Sequence, residues 1–116
     1  MPTTVFELSV GGQGGFGHIV LVPVSLNTIL NATYEYTRGA GAPGCTPGVG
    51  FELQRASGAW PTSFVQEVRD YFYDTASSGP QFETRILNEA LGGYNWAFLC
   101  YGAPGSTLTR IVVQHT

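Results

Sequence analysis

Glycine and proline cut this chain into short segments, and that punctuation limits what it can fold into more than any other feature. Residues 11–17 hold Gly11, Gly12, Gly14, Gly15 and Gly17, and residues 39–48 hold Gly39, Gly41, Pro43, Gly44, Pro47 and Gly48. Shorter breaks follow at Ser77-Ser78-Gly79-Pro80, at Gly92-Gly93 and at Gly102-Ala103-Pro104-Gly105. Glycine tolerates backbone angles closed to other residues and proline lacks an N–H, so each cluster ends a helix or strand.

Between the breaks, hydrophobic spacing assigns the elements. Residues 3–10 alternate, with Phe6, Leu8 and Val10 on one side and Glu7 and Ser9 on the other, as in a half-buried strand. Residues 18–24 are nearly all apolar, the pattern of a strand covered on both faces. The two read as a hairpin with residues 11–17 at its tip. Leu26, Ile29, Leu30 and Thr33 have helical spacing behind Ser25, although residues 33–37 favour strand. Val49, Phe51 and Leu53 alternate with Glu52 and Gln54 as another half-buried strand.

Two helices are expected next. Ser63 and Gln66 form a capping box before an apolar face of Val65, Val68, Phe72 and Ala76. Pro80 suits a first helical position ahead of Phe82, Ile86, Leu87, Ala90 and Leu91, with Gly92-Gly93 as the stop. Residues 94–101 and 107–113 alternate again and read as a C-terminal hairpin. The expectation is an α+β fold of one domain over residues 1–116. Its order, β-β-(α)-β-α-α-β-β, gives a mainly antiparallel sheet of about five strands with two or three helices packed on one face.

Composition excludes several functions. Charged residues are 11%, the formal net charge is −3, and all five basic residues are arginines, with no lysine. No cluster of basic residues exists to neutralise a phosphate backbone or an anionic bilayer, so nucleic-acid binding is not expected. The longest apolar run, residues 19–24, is far short of the roughly 18 residues that suggest a membrane span, so no membrane insertion is expected either. Met1-Pro2-Thr3-Thr4 has no basic region leading an apolar stretch, and the chain reads as cytoplasmic or secreted without a visible signal peptide. Missing lysine fits an arginine-favouring genome or avoidance of lysine modification. With 43% hydrophobic residues the core can form without metal or disulfide staples. Cys45 and Cys100 can form one bridge or remain thiols, Cys100 then being a core residue. Asn31-Ala32-Thr33 matches a glycosylation sequon.

Several chemical motifs fail on context. Gly12, Gly14 and Gly17 match the dinucleotide-binding spacing, but that loop must open a helix, and a strand follows here. The loop also resembles the glycine-rich loop of protein kinases, which requires a lysine on the next strand; this chain has none. His18, His115, Cys45 and Cys100 lack metal-ligand spacing, so no metal or other cofactor is expected. His18 with either cysteine is the sole thiol–imidazole option, and nothing local activates the thiol. Glu67, Asp70 and Asp74 fall on the solvated side of the expected helix.

Aromatic and amide side chains remain. Trp60, Tyr94, Asn95, Trp96 and Tyr101 form the expected ligand-binding set, aromatic rings offering platforms and amides offering hydrogen bonds. The pattern favours a non-catalytic module of lectin type for a glycan or other small ligand, with Trp60 before Pro61 the exposed platform. Two alternatives use the same residues. A self-assembling coat or shell subunit, a homo-oligomer, buries its low-charge surfaces and strand edges between copies. A pocket enzyme lines its site with Tyr71, Tyr94, Tyr101 or His18.

Overall fold

The computed structural model describes residues 2–44, 46–57 and 67–116. Its elements are β1 (Thr3–Gly11), β2 (Phe16–Leu21), β3 (Thr28–Thr37), β4 (Val49–Ala56), β5 (Glu67–Asp74), β6 (Pro80–Ala90), β7 (Asn95–Gly102) and β8 (Thr107–His115). The described residues contain no helix. Every pairing is antiparallel, in two four-stranded sheets: sheet A in the order β1-β8-β3-β6, sheet B in the order β2-β7-β4-β5. β1 pairs with β8, β2 with β7, β3 with β6 and β4 with β5, like a long hairpin rolled up on itself. Pairings β3·β8 and β4·β7 complete the two sheets. Eight strands wound this way form a jelly roll.

Inward-pointing residues explain why the sheets stack. Ile29, Ala32 and Tyr34 of β3 are fully buried, as are Ile111 and Val113 of β8, and they meet Phe51, Leu53, Phe98 and Cys100 from sheet B. Aromatic rings tie the layers together: Tyr34 stacks on Phe51 at 4.2 Å and 13°, and meets Phe98 edge-on at 6.0 Å and 83°. Phe51 stacks in turn on Phe72 of β5 at 6.1 Å. Such pairs add about 0.5–1.5 kcal/mol each beyond the area they bury.

The α+β expectation is therefore corrected to all-β. The segment at 26–36 is β3, the one at 80–91 is β6, and the one at 63–76 contains β5, with Ser63, Val65 and Gln66 outside the described residues. One cause is arithmetic. A four-residue spacing such as Phe82, Ile86 and Ala90 approximates the helical period of 3.6 but is also an even multiple of the strand period of 2. The other cause is that the edge strands β5 and β6 turn charge inward. Glu83, Arg85 and Glu89 of β6 face Asp70 and Arg69 of β5, joined by Arg85–Asp70 at 3.0 Å and Arg69–Glu89 at 3.2 Å. Charge on the inner face beside Phe72 and Leu87, with Phe82 and Ile86 on the outer one, blurs the alternation a strand is recognised by.

The two expected hairpins are corrected as well. β1 and β2 lie in different sheets, as do β7 and β8. The loop at 11–17 is a structured turn: Gly15 N–H donates to Gly12 O at 3.2 Å, and Gly105 N–H donates to the same oxygen at 2.7 Å. Gly15, at φ +75°, lies against the Gly102 carbonyl where a side chain would collide.

Candidate functional site

The outer face of sheet B is the least expected surface of the molecule. Strand register lays out its rows: Leu21, Ala97, Gln54 and Val68 in one; Ile19, Leu99, Glu52 and Tyr71 in the next; Gly17, Tyr101, Gly50 and Tyr73 in the third. Val20, between Ile19 and Leu21, is buried, so its two neighbours point outward, where they are 43% and 54% exposed. Val68 at 49% and Tyr71 at 53% are exposed on β5, while Ala97 and Gln54, between Leu21 and Val68, are buried.

Two glycines shape the aromatic end of this face. A Cβ at Gly50 would overlap the Tyr101 ring, and one at Gly48 would overlap Tyr73. Without those atoms both rings lie down over the strand, 6.0 Å apart and inclined by 27°. Burial raises the Tyr101 pKa well above the usual phenol value, and a hydrogen bond with Tyr71 raises it further. The phenol stays neutral at physiological pH.

Ionic partners are distributed unevenly. Arg55 pairs with Glu67, Arg69 with Glu67 and Glu89, Arg85 with Asp70, and Arg110 with Glu7 and Glu35. Arg38 donates to the carbonyls of Ser77 and Gly39. Among the described residues this leaves Glu52, the single carboxylate in the three rows, without an ion pair. The outer face of sheet A is saturated by contrast. Arg110 bridges Glu7 and Glu35, Asn31 of the sequon donates to Gln114 at 2.8 Å, and Thr33 bonds Thr84 at 2.8 Å.

The expected binding residues are distributed over two regions. Tyr94, Asn95 and Trp96 line one open cleft of about 400 Å³ at an end of the sandwich, with Val22, Pro23, Val24, Leu26, Asn27, Leu91, Gly92 and Gly93. Trp96 is 4% exposed, and its indole N–H donates to Leu91 O at 3.0 Å, so the ring belongs to the core. Tyr94 is the exposed aromatic and carries the Arg55 guanidinium 4.0 Å above its ring. Tyr101 belongs to the outer face of sheet B instead, and Trp60 lies outside the described residues.

Catalytic candidates gain nothing from the fold. Register puts His18 opposite Cys100, but burial pushes the Cys100 thiol up to about 12, with no contribution from an imidazole. Cys100 is an unbridged core thiol. Asp70 is engaged by Arg85, and Asp74 accepts hydrogen bonds from Tyr36 and from Ser77. No group of three metal-ligating side chains occurs among the described residues.

Ile19, Leu21, Glu52, Val68 and Leu99 escaped the sequence reading, although one signal was present. Residues 18–24 are apolar at both parities, the mark of a strand covered on both faces. β2 is covered by its own chain on one face only. No protein-family model matches the chain, and no curated protein resembles it in sequence.

Proposed function

We propose that this chain is a self-associating structural subunit, of the coat or shell type, that covers the outer face of sheet B with another copy of itself. Jelly rolls serve shell-forming and sugar-binding proteins alike, so the fold does not choose between them and the surface must. The observation that carries the reading is β2, apolar on both sides yet buried on one, with Val68 and Tyr71 of β5 also exposed on the same face of sheet B. Exposed apolar area of this kind marks interaction surfaces. The molecule measures 43 × 33 × 20 Å, so its broad face has room for the roughly 800 Å² per partner that a stable interface buries. The end cleft supports ligand binding less well, because the Trp96 ring is engaged in the core and the Tyr94 ring is capped by Arg55.

The test is particle mass against concentration, by sedimentation or light scattering, for the wild type and for Leu21→Arg. Leu21 is half exposed, so the variant keeps its fold while placing an unpaired charge on the face. The expected result is a mass that rises with concentration in the wild type and rises less in the variant. A wild type that stays monomeric into the millimolar range overturns the reading.

A further inference from the structure

The free edge of β6 carries a second contact surface, and its sequence specifies the partner. β6 ends sheet A, and among the described residues no backbone hydrogen bond reaches its outer edge. Phe82 and Ile86 stand on its outer face, each 70% exposed, with Thr84 midway between them. On the inner face Glu83 and Arg85 flank the same residue. Arg85 holds Asp70 through two nitrogens, at 3.0 and 3.1 Å, whereas among the described residues Glu83 is held only by a 3.8 Å contact. The regular part of the strand is bounded by Pro80, which lacks an N–H, and by Asn88, at φ +52° in a bulge opposite β3. Thr84 is the midpoint between those two boundaries.

We infer that β6 pairs antiparallel with β6 of a second copy, about a two-fold axis at Thr84, making one continuous eight-stranded sheet from two copies of sheet A. In that register Phe82 lies opposite Ile86 of the other copy, twice over, an aromatic–aliphatic pair of the kind that stabilises sheets. Glu83 lies opposite Arg85 of the other copy, also twice, so the loosely held carboxylate gains a full partner. The neighbouring registers that keep the faces aligned put Glu83 opposite Glu83, or Arg85 opposite Arg85, and like charges directly opposite are destabilising. Inward-pointing charge normally protects an edge from promiscuous pairing; here it favours this register over its two face-aligned neighbours. The contact is isologous and closes as a dimer. It rests on the self-association reading and adds a second interface to the sheet B face, as a shell subunit requires.

The experiment is a cysteine scan of β6 in a Cys45→Ser background, since the Cys100 thiol is buried. Residues opposite one another in an antiparallel pair have Cα atoms about 4.5–5.5 Å apart, within disulfide range. Thr84→Cys is expected to cross-link to near completion under mild oxidant. Phe82→Cys, whose counterpart on the axis-related strand lies four residues away, is expected not to. Phe82→Asp is expected to weaken the dimer roughly 100-fold in dissociation constant, since two apolar pairs are lost at once. Equal cross-linking at both positions, or a dimer indifferent to Phe82→Asp, overturns the edge pairing. If the wild type still gains mass with concentration in that case, the sheet B reading survives alone; a strictly monomeric wild type removes both.

Discussion

Tyr34→Phe should make this protein more stable. The Tyr34 side chain is fully buried at the centre of the sandwich, and its hydroxyl has no hydrogen-bond partner among the described residues. Burial raises its pKa well above the usual phenol value, so the group stays neutral and unsatisfied. A buried hydroxyl without a partner carries a desolvation penalty of about 1–3 kcal/mol. Phenylalanine removes that penalty and keeps the ring, together with its 4.2 Å stack on Phe51 and its edge contact with Phe98. The missing oxygen leaves a void of roughly 10–15 Å³, costing about 0.3 kcal/mol at some 24 cal/mol per Å³. The net expectation is a gain of about 1–2 kcal/mol, or roughly 4–8 °C in Tm for a domain of this size. Urea unfolding followed by tryptophan fluorescence measures it, with the slope m unchanged. A variant less stable than the wild type would falsify the reasoning, because it would mean that the hydroxyl is bonded in the folded protein.

Two further outcomes follow from the same structure. Burial pushes the Asp74 pKa up, but hydrogen bonds from Ser77, Tyr36 and the Ala76 N–H outweigh it and hold the carboxyl well below the usual carboxylate range. A depressed folded pKa contributes stability that is present above the unfolded value of about 4 and is lost as pH falls through the folded one. Asp74→Ala should therefore cost about 2 kcal/mol at pH 7, and urea midpoints between pH 5 and 2 should fall less steeply in the variant than in the wild type. Gly50→Ala should cost about 1–3 kcal/mol by driving its Cβ into the Tyr101 ring. Adding Tyr101→Ala should recover part of that loss, and a double-mutant cycle showing simple additivity would count against the overlap.

How far the sequence could be read depends on which face of each strand is apolar. β1, β4 and β7 carry Phe6, Phe51 and Phe98 inward, and their periodicity was sufficient to find them; β8 was found too, although a bulge sets its inward Leu108 and Ile111 three residues apart. β5 and β6 were lost because the inner side of this part of the sandwich is closed by Arg85–Asp70 and Arg69–Glu89, while Phe82 and Ile86 point out. β3 was lost to a bulge: Ile29 pairs with His115 while Asn31 pairs with the adjacent Gln114, and the extra residue breaks the alternation at Leu30. Pairing was beyond local reading altogether, because adjacent strands such as β1 and β2 separate into different sheets. The candidate sites divide along the same line. Tyr94, Asn95 and Trp96 are neighbours in sequence and in the cleft, whereas Ile19, Val68 and Leu99 meet only through the register of three strands.

The nested pairing of the strands also governs how the protein must be made. Only β4 and β5 are close in sequence among partners; Thr3 waits for Gln114 at the far end of the chain. Folds dominated by such distant contacts fold slowly, because loop closure is unfavourable before any contact rewards it. β8 leaves the ribosome last of the eight strands, yet it fills the place between β1 and β3. Until it arrives, β1 and β3 each expose an unpaired edge, and Tyr34 and Phe6 have no cover from Ile111. A nascent or truncated chain lacking β8 is thus open at the middle of a sheet, where strand-for-strand capture by a neighbouring chain is easiest. Correct folding therefore turns on β8, the strand that closes the middle of sheet A.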